Sequence, residues 1–201
     1  NPNYLFVTVQ LAGDAAPGVF DIEFVESGKV VATHPWRLDA REPGSAQRRG
    51  FDARDAIYLV TPDRFANGDP SNDSVAGMAE AADRADPNGR HGGDIAGIRK
   101  HLDYIAGMGF TQLWPTPMLE NNQPRYSYHG YAITDFYRVD PRLGSNEDFR
   151  QLARDARERN IGLIMDVVLN HIGSSHWWMS DLPAPDWINY GGKFTATHHV
   201  R

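Results

Sequence analysis

Ile161-Gly162-Leu163-Ile164-Met165-Asp166-Val167-Val168-Leu169-Asn170-His171 is the stretch on which the fold turns. It opens as a near-continuous apolar run, the pattern of a strand covered on both faces in a parallel sheet. Three polar side chains then arrive within six residues: Asp166, Asn170 and His171. A covered strand ends this way when its C-terminal end opens on something polar. In barrels of alternating strands and helices, the C-terminal ends of the strands carry the functional side chains. An Asp and an Asn that merely complete hydrogen bonding at a strand end are the competing reading of this stretch alone.

Working back from it, Ser145-Asn146-Glu147-Asp148 resembles a capping box and starts a helix with Phe149, Leu152, Ala153 and Ala156 on one face. Thr111 to Pro115 reads as a strand. Before it, Ile95, Ile98, Leu102 and Ile105 recur at helical spacing, with Asp94 as the cap and Gly107 and Gly109 at the end. Ala56 to Val60 reads as another short strand. The order is strand, long loop, helix, strand, long loop, helix, strand, which implies parallel strands with right-handed crossovers. The long loops, Thr61 to Gly93 and Thr116 to Gly144, both follow strands, as a barrel with its site at the strand C-termini requires. The fold class is therefore α/β, the first part of an eight-stranded β/α barrel.

Earlier still, Tyr4 to Leu11, Val19 to Val25 and Lys29 to Thr33 alternate apolar and polar residues between turn signals, as strands of a β-sandwich do. Three strands cannot close a sandwich, so either they form a small sheet packed on the next domain or the chain begins partway through an N-terminal, immunoglobulin-like sandwich; the second is the expectation. The expected organisation is 1–37 sandwich strands, 38–55 an aperiodic linker and 56–171 three β/α units, followed by 172–201.

The 201 residues are 41% hydrophobic with a net charge of −6, and the isoelectric point is about 5.7. An acidic chain without a basic run argues against nucleic acid and anionic membrane as partners. No cysteine is present, which excludes disulfides, thiolate metal sites and a cysteine nucleophile. No apolar run reaches membrane-spanning length. A start at Asn1 reads as a processed, trimmed or cut end. The absence of cysteine does not choose between cytoplasm and periplasm, so the compartment stays open, with periplasmic or secreted slightly ahead.

Two loop constellations carry chemistry. Asn67, Asp69, Asn72 and Asp73 place four side-chain oxygens within seven residues, beside Gly68 and Pro70. Hard cations such as calcium bind sets of this kind, but turns use the same residue types, and spacing alone favours the turn. Tyr126-Ser127-Tyr128-His129-Gly130-Tyr131 sets aromatic rings near a strand end, where they can stack on a sugar or fill a core. Trp177-Trp178 is open to the same two readings.

From about Ala56 to Arg201 the chain resembles the α-amylase family of glycoside hydrolases. Asp166-Val167-Val168-Leu169-Asn170-His171 is similar to that family's first signature region, and Tyr128-His129-Gly130-Tyr131 to the segment after its second strand. Pro62-Asp63-Arg64-Phe65-Ala66-Asn67-Gly68-Asp69 resembles the neopullulanase, cyclomaltodextrinase and maltogenic amylase branch. The resemblance implies a structural calcium held by Asn67, Asp69, Asn72, Asp73, Gly92 and Asp94. It implies that Tyr131, His171 and His129 contact substrate and that Asp166 and Asn170 support them. The substrate it implies is an α-1,4-glucan or cyclodextrin, cleaved with retention, and a homodimeric parent is one option it leaves. The resemblance makes 172–201 the start of a small domain inserted after the third strand, and since the family's nucleophile, general acid and third carboxylate follow the fourth, fifth and seventh strands, no residue here is assigned a catalytic role and the chain reads as a piece of a longer enzyme. A non-catalytic binding or scaffold module, and a transglycosylase or isomerase on the same fold, are the alternatives.

Overall fold

The computed structural model describes residues 1–193, 195 and 196; the rest of the expected inserted segment, 194 and 197–201, lies outside the described residues. The chain divides at Gly50/Phe51 into two units, with Asn1 counted in the second.

The first unit, 2–50, is built on one antiparallel hairpin, β1 (Gly18–Glu26) and β2 (Lys29–Leu38). Ser27 and Gly28 join the strands with φ of 51° and 77°, the two positive values that a tight hairpin turn demands. Alternation sets the register: Phe20 faces Trp36 with ring centroids 6.4 Å apart, and Ile22 and Phe24 follow on the same face opposite His34 and Ala32. Cross-strand aromatic pairs of this kind are the unit of sheet stabilisation. The strand expected over Tyr4 to Leu11 does not form, and Leu5, Phe6, Val7, Val9 and Leu11 are exposed. Alternation makes that segment fit to be a strand, but a strand exists only when a partner supplies its hydrogen bonds.

The second unit begins with β3 (Ile57–Val60), followed by a single turn, α1 (Pro62–Phe65). Next come α2 (Ile95–Lys100) and α3 (Leu102–Gly107). The sequence pattern predicts one helix across α2 and α3. His101 breaks it, because its ring Nδ1 takes the Gly97 carbonyl that its own amide would otherwise use. That amide bonds Ile98 O instead, which tightens the turn. The apolar stripe nevertheless runs through the break: Ile95, Ile98, Leu102 and Ile105 are all fully buried. Each such side chain contributes about 1.5–3 kcal/mol relative to an exposed one.

β4 (Gln112–Pro115) pairs in parallel with β3, and β7 (Gly162–Leu163) pairs in parallel with β4. Between them lie β5 (Leu119–Glu120), β6 (Asp135–Val139) and α4 (Asn146–Glu158). The sheet order β3-β4-β7 is that of successive β/α units. Helix α4 opens with the anticipated capping box: Ser145 Oγ accepts from the Asp148 amide, and Asp148 returns a carboxylate to the Ser145 amide. Leu152 and Ala156 are its buried face, packed with Leu113, Val139 and Ile161 in the main core.

Two features were not legible beforehand. Within the loop expected over Thr116 to Gly144, β5 and β6 form an antiparallel pair with a bulge at Leu119/Glu120. The regular ladder of β7 stops at Leu163, although Ile164 N still reaches Leu113 O at 2.9 Å. Beyond it Met165, Val167 and Leu169 are exposed while Val168 is buried. The apolar run is thus covered on one face only among the described residues, and its free edge carries no partner strand there. No helix of the described residues is long and apolar enough to cross a membrane.

Candidate functional site

Asp166 lies three residues past the end of β7, where the parallel strands all point to the same side of the sheet. Its Oδ2 accepts two hydrogen bonds, from Trp114 Nε1 at 3.0 Å and from the Tyr131 hydroxyl at 2.9 Å. Trp114 comes from β4 and Tyr131 from the segment between β5 and β6, so a strand and the long excursion between β4 and β7 converge on one carboxylate. Burial pushes the Tyr131 phenol up, and the bond to the Asp166 carboxylate pushes it further in the same direction. The phenol therefore stays a neutral donor. His171 closes the cluster from the other side, its Nε2 donating to the Tyr131 carbonyl at 2.9 Å, which leaves Nδ1 for a ligand. Asn170, also placed in this network by the resemblance, is exposed and lines a hollow of about 650 Å³ together with His171, Trp178 and Trp187.

His129 stands beside Tyr131, with ring centroids 5.8 Å apart, and its Nδ1 accepts the Tyr131 amide at 2.9 Å. The two rings are thus tied through the backbone of a single turn, Ser127–His129. Gly130 makes that turn possible. Its φ is 83°, and a Cβ there would lie 1.9 Å from the Pro117 carbonyl oxygen. On the other flank, the Arg64 guanidinium sits 4.0 Å over the Tyr128 ring.

Trp177 and Trp178 build a cluster around the buried His176. Trp177 stacks on the imidazole at 3.9 Å, and Trp178 meets Trp187 edge-on at 5.3 Å. His176 Nδ1 accepts the Trp178 amide at 3.1 Å. Burial pushes both His129 and His176 below the ordinary value of 6.5, opposed in part by Glu80 and Asp135 respectively. Protonating either Nδ1 removes an amide bond as well as charging a desolvated ring. With the folded values below the unfolded ones, the stability these rings provide is complete above pH 6.5 and is lost as pH falls through the folded values. The melting temperature of the full-length protein is expected to drop as pH goes below 6.5, and less steeply in His176→Asn. A profile flat from pH 7.5 to 5 would show that neither ring is held neutral by the fold.

The oxygen-rich loop folds over the start of α2. Asp94 caps that helix, and its four lone-pair positions all accept N–H groups: Gly68 N and Gly97 N on Oδ1, Asp69 N and Asn72 Nδ2 on Oδ2. Asp69 binds Ser71 through its amide and hydroxyl, which hold its carboxyl below the usual range. Asn67 Nδ2 donates to Asp73 Oδ1 at 2.5 Å. Gly92, with φ of 83°, packs so closely that a Cβ there would meet Asp73 Oδ1 at 2.5 Å. Two buried oxygens in this cluster, Asn67 Oδ1 and Asn72 Oδ1, have no donor. Among the described residues, no three His, Cys, Asp or Glu side chains converge as metal ligands do.

Trp114 is the member of the Asp166 cluster that the sequence pattern missed. As one of four residues of a short strand it reads as core, and only the parallel register with β7 puts its indole N–H at Asp166.

Residues 59–187 match the family described as α-amylase, catalytic domain. The chain belongs to the α-amylase family. Its residues 1–42 match a second family, cyclomaltodextrinase, N-terminal, so the fold is that of an α-amylase catalytic domain preceded by a cyclomaltodextrinase N-terminal domain. This α-amylase family chain is similar to the β/α-amylase of Paenibacillus polymyxa, 41% identical over 147 residues that cover 71% of this chain and 12% of that protein. Neopullulanase 2 of Thermoactinomyces vulgaris is 33% identical over 166 residues, covering 82% and 25%. Among solved structures, an Anoxybacillus α-amylase superposes with a TM-score of 0.58 at 43% identity, covering 66% of this chain and 27% of that one. The maltose complex of the cyclic α-maltosyl-(1→6)-maltose hydrolase from Arthrobacter globiformis gives 0.55 at 37% identity, covering 64% and 28%. The chain spans less than a third of the length of each of these relatives.

Proposed function

We propose that the protein to which this chain belongs is a retaining glycoside hydrolase that cleaves α-1,4-glucosidic bonds of maltooligosaccharides or cyclodextrins. The observation that carries this reading is the convergence of Trp114, Tyr131 and His171 on and around Asp166 at the C-terminal end of a parallel sheet. Such a constellation offers a sugar a flat ring, a neutral phenol and an imidazole nitrogen, all held by fixed partners. In this reading Tyr131 stacks under the glucosyl unit at the cleavage site and His171 bonds its hydroxyls. Asp166 holds the Tyr131 hydroxyl, the Tyr131 carbonyl holds His171, and Asp166 takes no proton from the substrate. Retention needs two carboxyl groups about 5–5.5 Å apart, one as nucleophile and one as acid then base. The resemblance puts those after the fourth and fifth barrel strands. The N-terminal hairpin is read as part of a sandwich domain joined through 38–55 to the barrel units of 56–171.

The test is product analysis of the full-length protein on maltotriose and β-cyclodextrin, with the anomer of the first product read by NMR. Shorter glucans released as α-anomers are expected. Binding without bond cleavage would instead identify a carbohydrate-binding module, and longer products a transglycosylase.

A structural calcium ion fits the loop over α2 in part. The unpartnered Asn67 Oδ1 and Asn72 Oδ1 and the Asp73 carboxylate, which packs against Asn67 and Gly92, are oxygens suited to a hard cation, and the Gly92 carbonyl is the candidate to join them. Asp69 and Asp94 would join it by giving up hydrogen bonds to N–H groups. The ion's contribution would be structural, tying the loop of 61–93 to the N-terminus of α2. Bound metal stabilises the folded state by mass action, by about 2.7 kcal/mol at a hundredfold excess over Kd. A chelator is expected to lower the melting temperature of the full-length protein by several degrees, calcium to restore it, and Asp73→Ala and Asp69→Ala to abolish the difference. A melting temperature indifferent to both chelator and calcium would sink the assignment.

A further inference from the structure

We infer that Glu80 is a positioning residue for the Tyr131–His129 platform: its carboxylate seats the turn that carries both rings, through the backbone amides of Tyr126 and Ser127. This inference rests on the sugar-contact reading of Tyr131.

Tyr126 has φ of 60° and ψ of 21°, the left-handed conformation that non-glycine residues rarely adopt, and Ser127 then enters the right-handed turn. A left-handed residue followed by a right-handed one turns two successive N–H groups toward a common point, a small anion-binding nest. The anion in this nest is a side chain. Glu80 Oε1 accepts the Tyr126 amide at 3.2 Å and Oε2 accepts the Ser127 amide at 2.7 Å. Three residues on, the same turn delivers His129, Gly130 and Tyr131.

Glu80 can act as a fixed anchor because its own backbone is held on both sides. Its carbonyl accepts Arg142 Nη1 at 2.8 Å, and Arg142 is fully buried against Asp140. Just before it, Ala79 N donates to Asn122 Oδ1 at 2.7 Å, and Asn122 Nδ2 returns to the Gly77 carbonyl. Ser127 is further gripped by Arg90 through its hydroxyl and by Asn121 through its carbonyl. The loop after the first strand therefore reaches across to set the angle of the loop after the second. Without the carboxylate, two amides lose their acceptor and the strained conformation of Tyr126 loses its main support.

The experiment is a double-mutant cycle in the full-length enzyme with maltotriose. Glu80→Ala is expected to lower kcat/KM about tenfold, and Glu80→Gln, which keeps one acceptor oxygen for two amides, by an intermediate factor. In a Tyr131→Ala background, Glu80→Ala is expected to have almost no further effect, because both act through the same ring. A merely structural role predicts the opposite: the Glu80→Ala factor persists undiminished in the Tyr131→Ala background. That result, or Glu80→Ala with unchanged kcat/KM, overturns the inference. Should Glu80→Ala misfold, Glu80→Gln in the same cycle decides it. Tyr131→Ala with wild-type kcat/KM overturns the sugar-contact reading itself, which distinguishes the two failures.

Discussion

In the full-length protein, Tyr131→Ala and His171→Ala are each expected to lower kcat/KM on maltotriose by about a hundredfold or more, with the melting temperature almost unchanged. Where it has been measured in hydrolytic active sites, loss of a single preorganised donor aimed at developing charge costs about 10²–10³ in rate. On the proposed reading Tyr131 also supplies the stacking face. Neither side chain belongs to a core: both are exposed, and each replacement removes one hydrogen bond, which contributes about 0.5–1.5 kcal/mol. Tyr131→Phe separates the two contributions of the ring. It keeps the stacking face and deletes the hydroxyl that donates to Asp166, so its loss is expected to be smaller than that of Tyr131→Ala. Normal hydrolysis by both alanine variants would remove the sugar-contact assignment from these positions.

Arg142→Ala is expected to be the most damaging single change to stability. Arg142 and Asp140 are both buried, and the guanidinium makes a two-pronged contact, Nε to Oδ1 at 2.9 Å and Nη2 to Oδ2 at 2.7 Å. The remaining donors reach the carbonyls of Glu80 and Asn121 at 2.8 Å. Removing the arginine leaves a buried carboxylate with its main partner gone, which costs about 3–5 kcal/mol. That is a large share of the roughly 5–15 kcal/mol that separates folded from unfolded domains. Burial alone pushes the Asp140 carboxyl up, but the Arg142 hydrogen bonds and the charges of Arg90 and Arg142 outweigh it and bring it below the usual range. With the folded value below the unfolded one, the pair's stabilisation is in full effect above pH 4 and disappears only as pH falls through the folded value. The urea midpoint of the full-length protein, compared at pH 7 for wild type, Arg142→Ala and Arg142→Lys, measures this. A shift for Arg142→Ala equivalent to less than about 1 kcal/mol, the value of an exposed pair, would contradict the buried geometry.

Local patterning was enough to place the elements on which the site is mounted. Helical spacing marked Ile95, Ile98, Leu102 and Ile105, and all four are core residues, because a helix with one apolar stripe has one way to bury it. The capping box at Ser145 is equally local, since its partners lie three residues apart. The alternation of strand and helix implied parallel pairing, and β3-β4-β7 pair in that way. Where an element needs a distant partner, patterning alone misled. Tyr4 to Leu11 alternates but forms no strand, and among the described residues the apolar run after Leu163 is covered on one face only.

The same boundary runs through the site. Tyr131, His129, His171 and Asp166 could be named because they sit in recognisable motifs at strand ends. That Trp114 joins them follows from the register of β4 beside β7, which no local pattern encodes. The role of Glu80 is less visible still. It lies forty-odd residues before the amides it holds, in a loop without periodicity. The nest it fills is made of backbone N–H groups, which every residue but proline carries. Which of them converge, and which carboxylate meets them, depends on φ at Tyr126 and on the Arg142 contact that fixes the Glu80 carbonyl, and both are properties of the folded chain.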